Sequence, residues 1–198
     1  MTTSIIICCN KQDEVLLPAL EKNLASVYPD TSIYVAPCSI NPPETTLPTV
    51  SSLRWNTNSI TQDILKAMYL TCSDRVAKID ADTWHLKPYL FDGDEALRGI
   101  QWAHNPHYVL GLGYSMSKRA ILQLSVQEPC RTCERTQEDQ HLMWLARQRF
   151  PNDIYMLPVG TARKASTYTG QEDTCVVHLG CDQDPSSRLR YQQQLSSY

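Results

Sequence analysis

The pattern that most constrains this chain is strand, helix and strand within about forty residues of its start, because a helix between two strands joins parallel neighbours, not a hairpin. Ser4-Ile5-Ile6-Ile7-Cys8-Cys9 is short, β-branched and broken at once by polar residues, the mark of a buried strand. Asp13 offers an N-cap, and Leu16, Leu20, Leu24 and Val27 then recur at helical spacing until Pro29 closes the element. Ser32-Ile33-Tyr34-Val35-Ala36 is again strand-like. An α/β domain is expected over residues 1–181, with a mixed, mostly parallel central sheet flanked by helices.

The stretch from Pro37 to Ser52 is rich in Pro, Ser and Thr and lacks an apolar period, so it reads as a surface loop. Ser59 with Gln62 forms a capping-box pattern for a helix whose stripe is Ile60, Ile64, Ala67 and Met68 and which ends near Cys72. A third strand begins near Arg75. Helices follow over 117–126 and 137–149, with a short strand through Ile154 to Leu157. From Asp182 onward the residues are polar with no apolar stripe, and 182–198 is expected to be a weakly ordered tail. The longest apolar run, Ile5 to Cys9, is far too short to span a bilayer, so no membrane span is expected.

Three Asp-x-Asp pairs occur: Asp80-Ala81-Asp82, Asp92-Gly93-Asp94 and Asp182-Gln183-Asp184. Spacing alone does not choose among them. The first follows Val76-Ala77-Lys78-Ile79, a strand running into its carboxyl end, where open α/β sheets place their ligands. In extended backbone, residues two apart point the same way, so Asp80 and Asp82 can present both carboxylates to one site for Mg²⁺ or Mn²⁺, with substrate phosphates completing the shell. A solvated turn is the competing explanation.

Lys78-Ile79-Asp80-Ala81-Asp82-Thr83 resembles the Lys-x-Asp-Asp-Asp-Val segment of the β-1,3-galactosyltransferase and Fringe-like glycosyltransferases, with Ala81 in place of the middle aspartate. Downstream, the segment from Tyr108 to Ser117 resembles that family's Tyr-x-x-Gly-x-Gly-Tyr-x-x-Ser, carried here by Gly111, Gly113 and Tyr114. Glu138-Asp139 then matches its Glu-Asp pair at a helix start, and Val176-Val177-His178 resembles the histidine segment that completes many metal sites of the GT-A type. The likeness runs from Lys78 to His178; earlier residues share only the βαβ pattern.

The resemblance implies a single GT-A, Rossmann-like domain that transfers a sugar from a nucleotide-diphospho-sugar, a UDP-sugar by analogy, to a hydroxyl of a glycan or other acceptor with inversion. It implies Mn²⁺ or Mg²⁺ at Asp80, Asp82 and His178, with Asp82 and His178 as direct ligands and Asp80 holding the ribose or a metal-bound water. Lys78, Gly111, Gly113 and Tyr114 fall on the donor side. A nucleoside diphosphate leaves well only when its growing charge is neutralised, which a divalent cation does. The attacking hydroxyl needs a carboxylate base, for which Asp139 is the candidate; Glu138 either shares that role or holds the acceptor. Local alternatives stay open for each group. Glu138-Asp139 also suits a helix N-terminus, the glycines suit a tight turn, and Tyr114, Trp84 and Trp102 suit either sugar stacking or the core.

Two rival functions have sequence support. Cys130-x-x-Cys133 with Cys175-x-x-His178-x-x-Cys181 supplies the ligands of a tetrahedral zinc site in a non-catalytic binding module. A sugar transferase acting on modified nucleic-acid bases would need a basic stripe, and the sequence offers only scattered pairs such as Lys118-Arg119 and Arg147 with Arg149. The formal net charge of -3 argues against nucleic acid as a partner. Cys8 and Cys9 inside an apolar strand point to a reducing cytoplasm; because eukaryotic members of the family it resembles are anchored in the Golgi and no anchor is expected here, the resemblance implies a bacterial or viral setting.

Overall fold

The computed structural model of the protein describes residues 1–37, 57–102, 105–126, 138–180 and 184–197. Strands β1 (Thr3–Cys9) and β2 (Thr31–Pro37) are joined by α1 (Leu17–Val27) and pair in parallel, Ile5 opposite Ile33. After α2 (Thr57–Leu70), β3 (Arg75–Asp80) joins the other side of β1, also in parallel. A three-residue strand, β4 (Thr83–His85), leads out of the sheet. Strands β5 (Leu97–Trp102) and β6 (Asn105–Ser117) then pair antiparallel with each other, and β6 lies antiparallel against β3. Helices α3 (Lys118–Ser125) and α4 (Glu138–Arg149) precede β7 (Ile154–Leu157), which joins β5 in parallel. The central sheet has the order β2-β1-β3-β6-β5-β7, a mixed sheet in which parallel pairings outnumber antiparallel ones. Strand β4 belongs to a second sheet with β8 (Ala162–Lys164) and β9 (Val176–His178), in the order β4-β9-β8.

Helices cover both faces of the central sheet, which is why its inner strands are apolar at successive residues. Ile5, Ile7, Ala77 and Ile79 pack against Leu20 and Leu24 of α1. Ile6 and Val76 turn the other way, into a cluster with Ile64, Leu65 and Met68 of α2 and Leu142 of α4. No described helix is long and apolar enough to cross a membrane.

Three local expectations are revised. Helix α1 starts at Leu17, with Pro18 in its first turn, after a 3-10 turn over Glu14–Leu16, and the Asp13 side chain caps neither. Its carboxylate instead accepts from Asn10 Nδ2 at 2.6 Å and is ion-paired with Arg188. The glycines of 108–117 sit in β6, not in a turn, with Gly113 opposite Ile79. Finally, the polar tail contains helix α5 (Pro185–Leu195). Asp184 caps it by accepting from the backbone N–H groups of Ser186 at 2.9 Å and Ser187 at 3.0 Å, and Pro185 occupies the first turn. The inward face of α5 is Arg188, Gln192 and Leu195, all buried. Two of these are polar, so an apolar-stripe criterion passes over a helix held by an ion pair and by the hydrogen bond from Gln192 Nε2 to the Leu16 carbonyl at 2.9 Å. The expected loop over 37–52 and the Cys130 and Cys133 pair lie outside the described residues, save Pro37 at the end of β2.

Candidate active site

Alternation along β3 sends Val76, Lys78 and Asp80 toward α4 and sends Ala77 and Ile79 toward α1. The Lys78 ammonium, only 3% exposed, lies 2.8 Å from Asp80 Oδ1 and 3.2 Å from Glu138 Oε1, and donates to the Gly111 carbonyl at 2.9 Å. Tyr114, paired across the sheet with Lys78, donates its hydroxyl to Glu138 Oε1 at 3.0 Å, and its ring centroid is 5.6 Å from the ammonium. Asp139 follows in the first turn of α4, so close to β6 that a Cβ on Gly111 would come 3.3 Å from its Oδ2. Lys78, Asp80, Gly111, Tyr114, Glu138 and Asp139, taken from three separate motifs, therefore form one cluster.

The second aspartate takes a different partner while its charge still reaches Asp80. Strand β3 stops at Asp80, and Ala81 and Asp82 make a turn closed by Thr83 Oγ1 on the Asp80 carbonyl at 2.7 Å. Strand β4 then pairs with β9, Thr83 opposite His178, and Leu179 donates to the Asp82 carbonyl at 2.8 Å. This brings Asp82 Oδ2 to 3.0 Å from His178 Nε2. Because the turn interrupts the extended backbone, the two carboxylates take different partners: Asp80 the lysine, Asp82 the histidine.

The charges follow this geometry. Burial, helped by the neighbouring charge of Glu138, pushes the Asp139 carboxyl up to about 6. Burial and the charges of Glu138 and Asp82 likewise raise Asp80 to about 6, against the pull of Lys78. Burial opposes the charge on Lys78, yet Asp80 and Glu138 outweigh it and hold the ammonium protonated. For Asp82, burial pushes up, but the hydrogen bond and charge of His178, with the charge of Arg188, leave the carboxyl below its ordinary range.

Asp82 and His178 fit a divalent cation in one respect and are limited in another. A carboxylate oxygen and an imidazole nitrogen already in contact are a two-residue donor set that leaves positions for phosphate oxygens and water, the usual situation for Mg²⁺ and Mn²⁺. Among the described residues no three His, Cys, Asp or Glu side chains gather as a ready cation site, and Asp80 enters only by way of its pairing with Lys78.

Other expected site residues are placed by packing. A Cβ on Gly113 would lie 2.5 Å from the Tyr89 hydroxyl, so that glycine makes room for Tyr89. Tyr114 is buried and Trp84 is 7% exposed in a cluster with Leu16, Val177 and Leu195; the Trp102 side chain lies outside the description. Cys175 is buried beside β9, while Cys181, like Cys130 and Cys133, is outside the described residues. Of the other Asp-x-Asp pairs, Asp184 is a helix cap and Asp92 is an exposed partner of Arg98 at 4.0 Å. Sequence reasoning missed Arg188, whose charge reaches Asp82 from the far end of the chain; no local motif marks it.

No family model matches the sequence, and no curated protein matches it. Among solved structures, a glycosyltransferase involved in the glycosylation of the major capsid of PBCV-1 superposes with a TM-score of 0.65 at 12% identity, covering 98% of this chain and 100% of that one. The chain shares that protein's fold. Within it, the cluster at the carboxyl end of β3 stands where open α/β sheets hold their ligands.

Proposed function

We propose that the chain transfers a sugar from a nucleotide-diphospho-sugar, a UDP-sugar by the sequence resemblance, to an acceptor hydroxyl, with a divalent cation and with inversion. The observation that carries this reading is the convergence of Lys78, Asp80, Glu138 and Asp139 beside the Asp82–His178 pair in a glycosyltransferase fold. In a single displacement the acceptor oxygen bonds to the anomeric carbon as the bond from that carbon to the diphosphate breaks, and the electron pair leaves on the diphosphate. The acceptor proton passes to the Asp139 carboxylate, whose raised affinity for protons suits a base working near neutral pH. Glu138, tied to Lys78 and Tyr114, orients the acceptor. Asp80 holds the donor ribose or a water, in an orientation fixed by Lys78. Asp82 and His178 would hold the Mn²⁺ or Mg²⁺, which supplies charge neutralisation to the leaving diphosphate. Lys78 serves the donor side by holding Asp80 and Glu138, its ammonium reaching both carboxylates and the Gly111 carbonyl.

A screen of nucleotide-sugars for hydrolysis, with and without Mn²⁺, tests this without knowledge of the acceptor. Release of UDP from at least one donor, dependent on Mn²⁺, is expected. No turnover of any donor, together with no calorimetric binding of UDP in Mn²⁺, would remove the proposal. A cytoplasmic setting is part of the same reading, resting on the cysteines within β1.

A further inference from the structure

Away from the carboxylates, two adjoining cavities of about 670 and 400 Å³ share Tyr168 and Leu195. The larger lies between the second half of α1, strand β4 and the Tyr168 segment, with Lys22, Ser26 and Trp84 on its walls. The smaller continues along α5, where Tyr191 and Gln194 line it. Both volumes fall in the range of ligand sites.

The lining differs from that of the catalytic cluster. Among the described residues no carboxylate side chain borders either cavity, and Lys22 is the one charged side chain lining them. Three aromatic side chains, Trp84, Tyr168 and Tyr191, are interspersed with serine hydroxyls and the Gln194 amide. The wall is also fixed: Asn23 of α1 donates to the His85 carbonyl at 2.8 Å and accepts from its N–H at 2.9 Å, locking helix to strand. His85, another lining residue, is kept neutral by burial; its Nδ1 meets the Tyr28 hydroxyl at 3.3 Å, and its buried Nε2 has no hydrogen-bond partner.

This combination selects a ligand class. A sugar ring offers an apolar C–H face to an aromatic ring and a rim of hydroxyls that need donors and acceptors. A nucleoside diphosphate would find no carboxylate side chain to share a divalent cation and no second cationic side chain among the described lining residues, and an acyl chain would leave the polar rim without partners. Position supports the same choice. Trp84 follows the turn that carries Asp82 by two residues and pairs across the small sheet with Val177, the chain neighbour of His178.

We propose that this groove binds a neutral oligosaccharide, and that in the transferase proposed above it holds sugar units of the acceptor remote from the one that reacts. The role rests on that reading; the binding does not.

The test uses the full chain, labelled with ¹⁵N, and linear neutral tetrasaccharides built from glucose, galactose, mannose or N-acetylglucosamine, with the matching monosaccharides alongside. At least one tetrasaccharide should shift the Trp84 indole N–H resonance without UDP or Mn²⁺, and its monosaccharide should bind far more weakly. Tyr168→Ala and Tyr191→Ala, both at partly exposed positions, should each weaken that binding at least about fivefold, the scale of a lost aromatic contact, while Mn²⁺-dependent donor hydrolysis stays unchanged. If Trp84 is unmoved by every tetrasaccharide while UDP with Mn²⁺ binds, the groove is wrong and the transferase stands. Tetrasaccharide shifts confined to Gly111 and Asp139 would also overturn it, as would binding indifferent to both tyrosines. Binding at Trp84 in a protein that ignores every nucleotide-sugar would leave the groove and remove the transferase.

Discussion

Replacing Arg188 by Leu should destabilise the protein severely and disturb the Asp82–His178 pair proposed above to hold the cation. Arg188 and Asp13 are each 5% exposed and ion-paired across 175 positions of sequence. Removing one partner of a buried pair leaves the other charge uncompensated, at about 3–5 kcal/mol. For a chain of this length that is a fall in Tm of roughly 10 °C. The loss depends on pH in a definite sense. Burial already raises the Asp13 carboxyl, with Arg188 pulling against it, and without Arg188 the carboxyl rises further. A carboxyl that binds its proton more tightly folded than unfolded stabilises at low pH, and that stability is lost as pH climbs through the folded value. Arg188→Leu should therefore lose more stability at pH 8 than at pH 5. Urea denaturation at both values measures this. Asp13→Asn combined with Arg188→Leu should be less destabilised than the sum of the single changes. Because Leu195 packs with Trp84 and Val177 beside the Asp82–His178 pair, Mn²⁺ affinity in the presence of UDP should fall too. A loss under about 1 kcal/mol in the single variant, with additive behaviour in the double, would refute the reasoning.

If Asp139 is the base proposed above, Asp139→Asn should keep donor and Mn²⁺ binding but lose about a hundred- to ten-thousand-fold in transfer; in the unmodified protein kcat/KM should fall as pH drops below about 6, where this carboxylate becomes protonated. His178→Ala should weaken Mn²⁺ binding by at least about tenfold in calorimetry with UDP, since even losing a residue behind a ligand costs that much. Gly113→Ala should cost about 1–3 kcal/mol in urea denaturation through the clash with Tyr89. Tyr89→Phe, which removes a buried hydroxyl without a partner, should be close to neutral alone and should relieve the clash.

How much was legible in the sequence depended on whether local pattern or distant packing decided the outcome. Strand β1, α1 and β2 show their periods openly because both faces of β1 are covered by helices, so Ile5, Ile6 and Ile7 must all be apolar. Helix α5 was not legible, since Arg188 and Gln192 are polar by composition and buried only through partners at Asp13 and Leu16. The glycines were legible as required positions but not in their cause: a turn and a strand packed on a tyrosine make the same demand on sequence, and only Tyr89, distant from Gly113 in the chain, decides between them. At Asp80 and Asp82 the period-two argument assumed extended backbone, and the turn at Ala81 broke it.

That break gives the site its division of labour. With Asp82 turned out of β3 onto β9, Asp80 is left facing α4, where Glu138 and Asp139 bring two more carboxylates to a partly buried place. Three such groups cannot all ionise side by side without a cation among them, and Lys78, two residues back on the same face, supplies it. Its ammonium reaches Asp80 and Glu138 but has no ion pair with Asp139. The lysine thus ties down two carboxylates and leaves Asp139 without an ion pair, while burial and Glu138 raise its affinity for a proton. An unpaired lysine in a central strand would be costly to bury; here its pairing holds Asp80 and Glu138 in place and leaves Asp139 free of an ion pair with it, as the base proposed above requires.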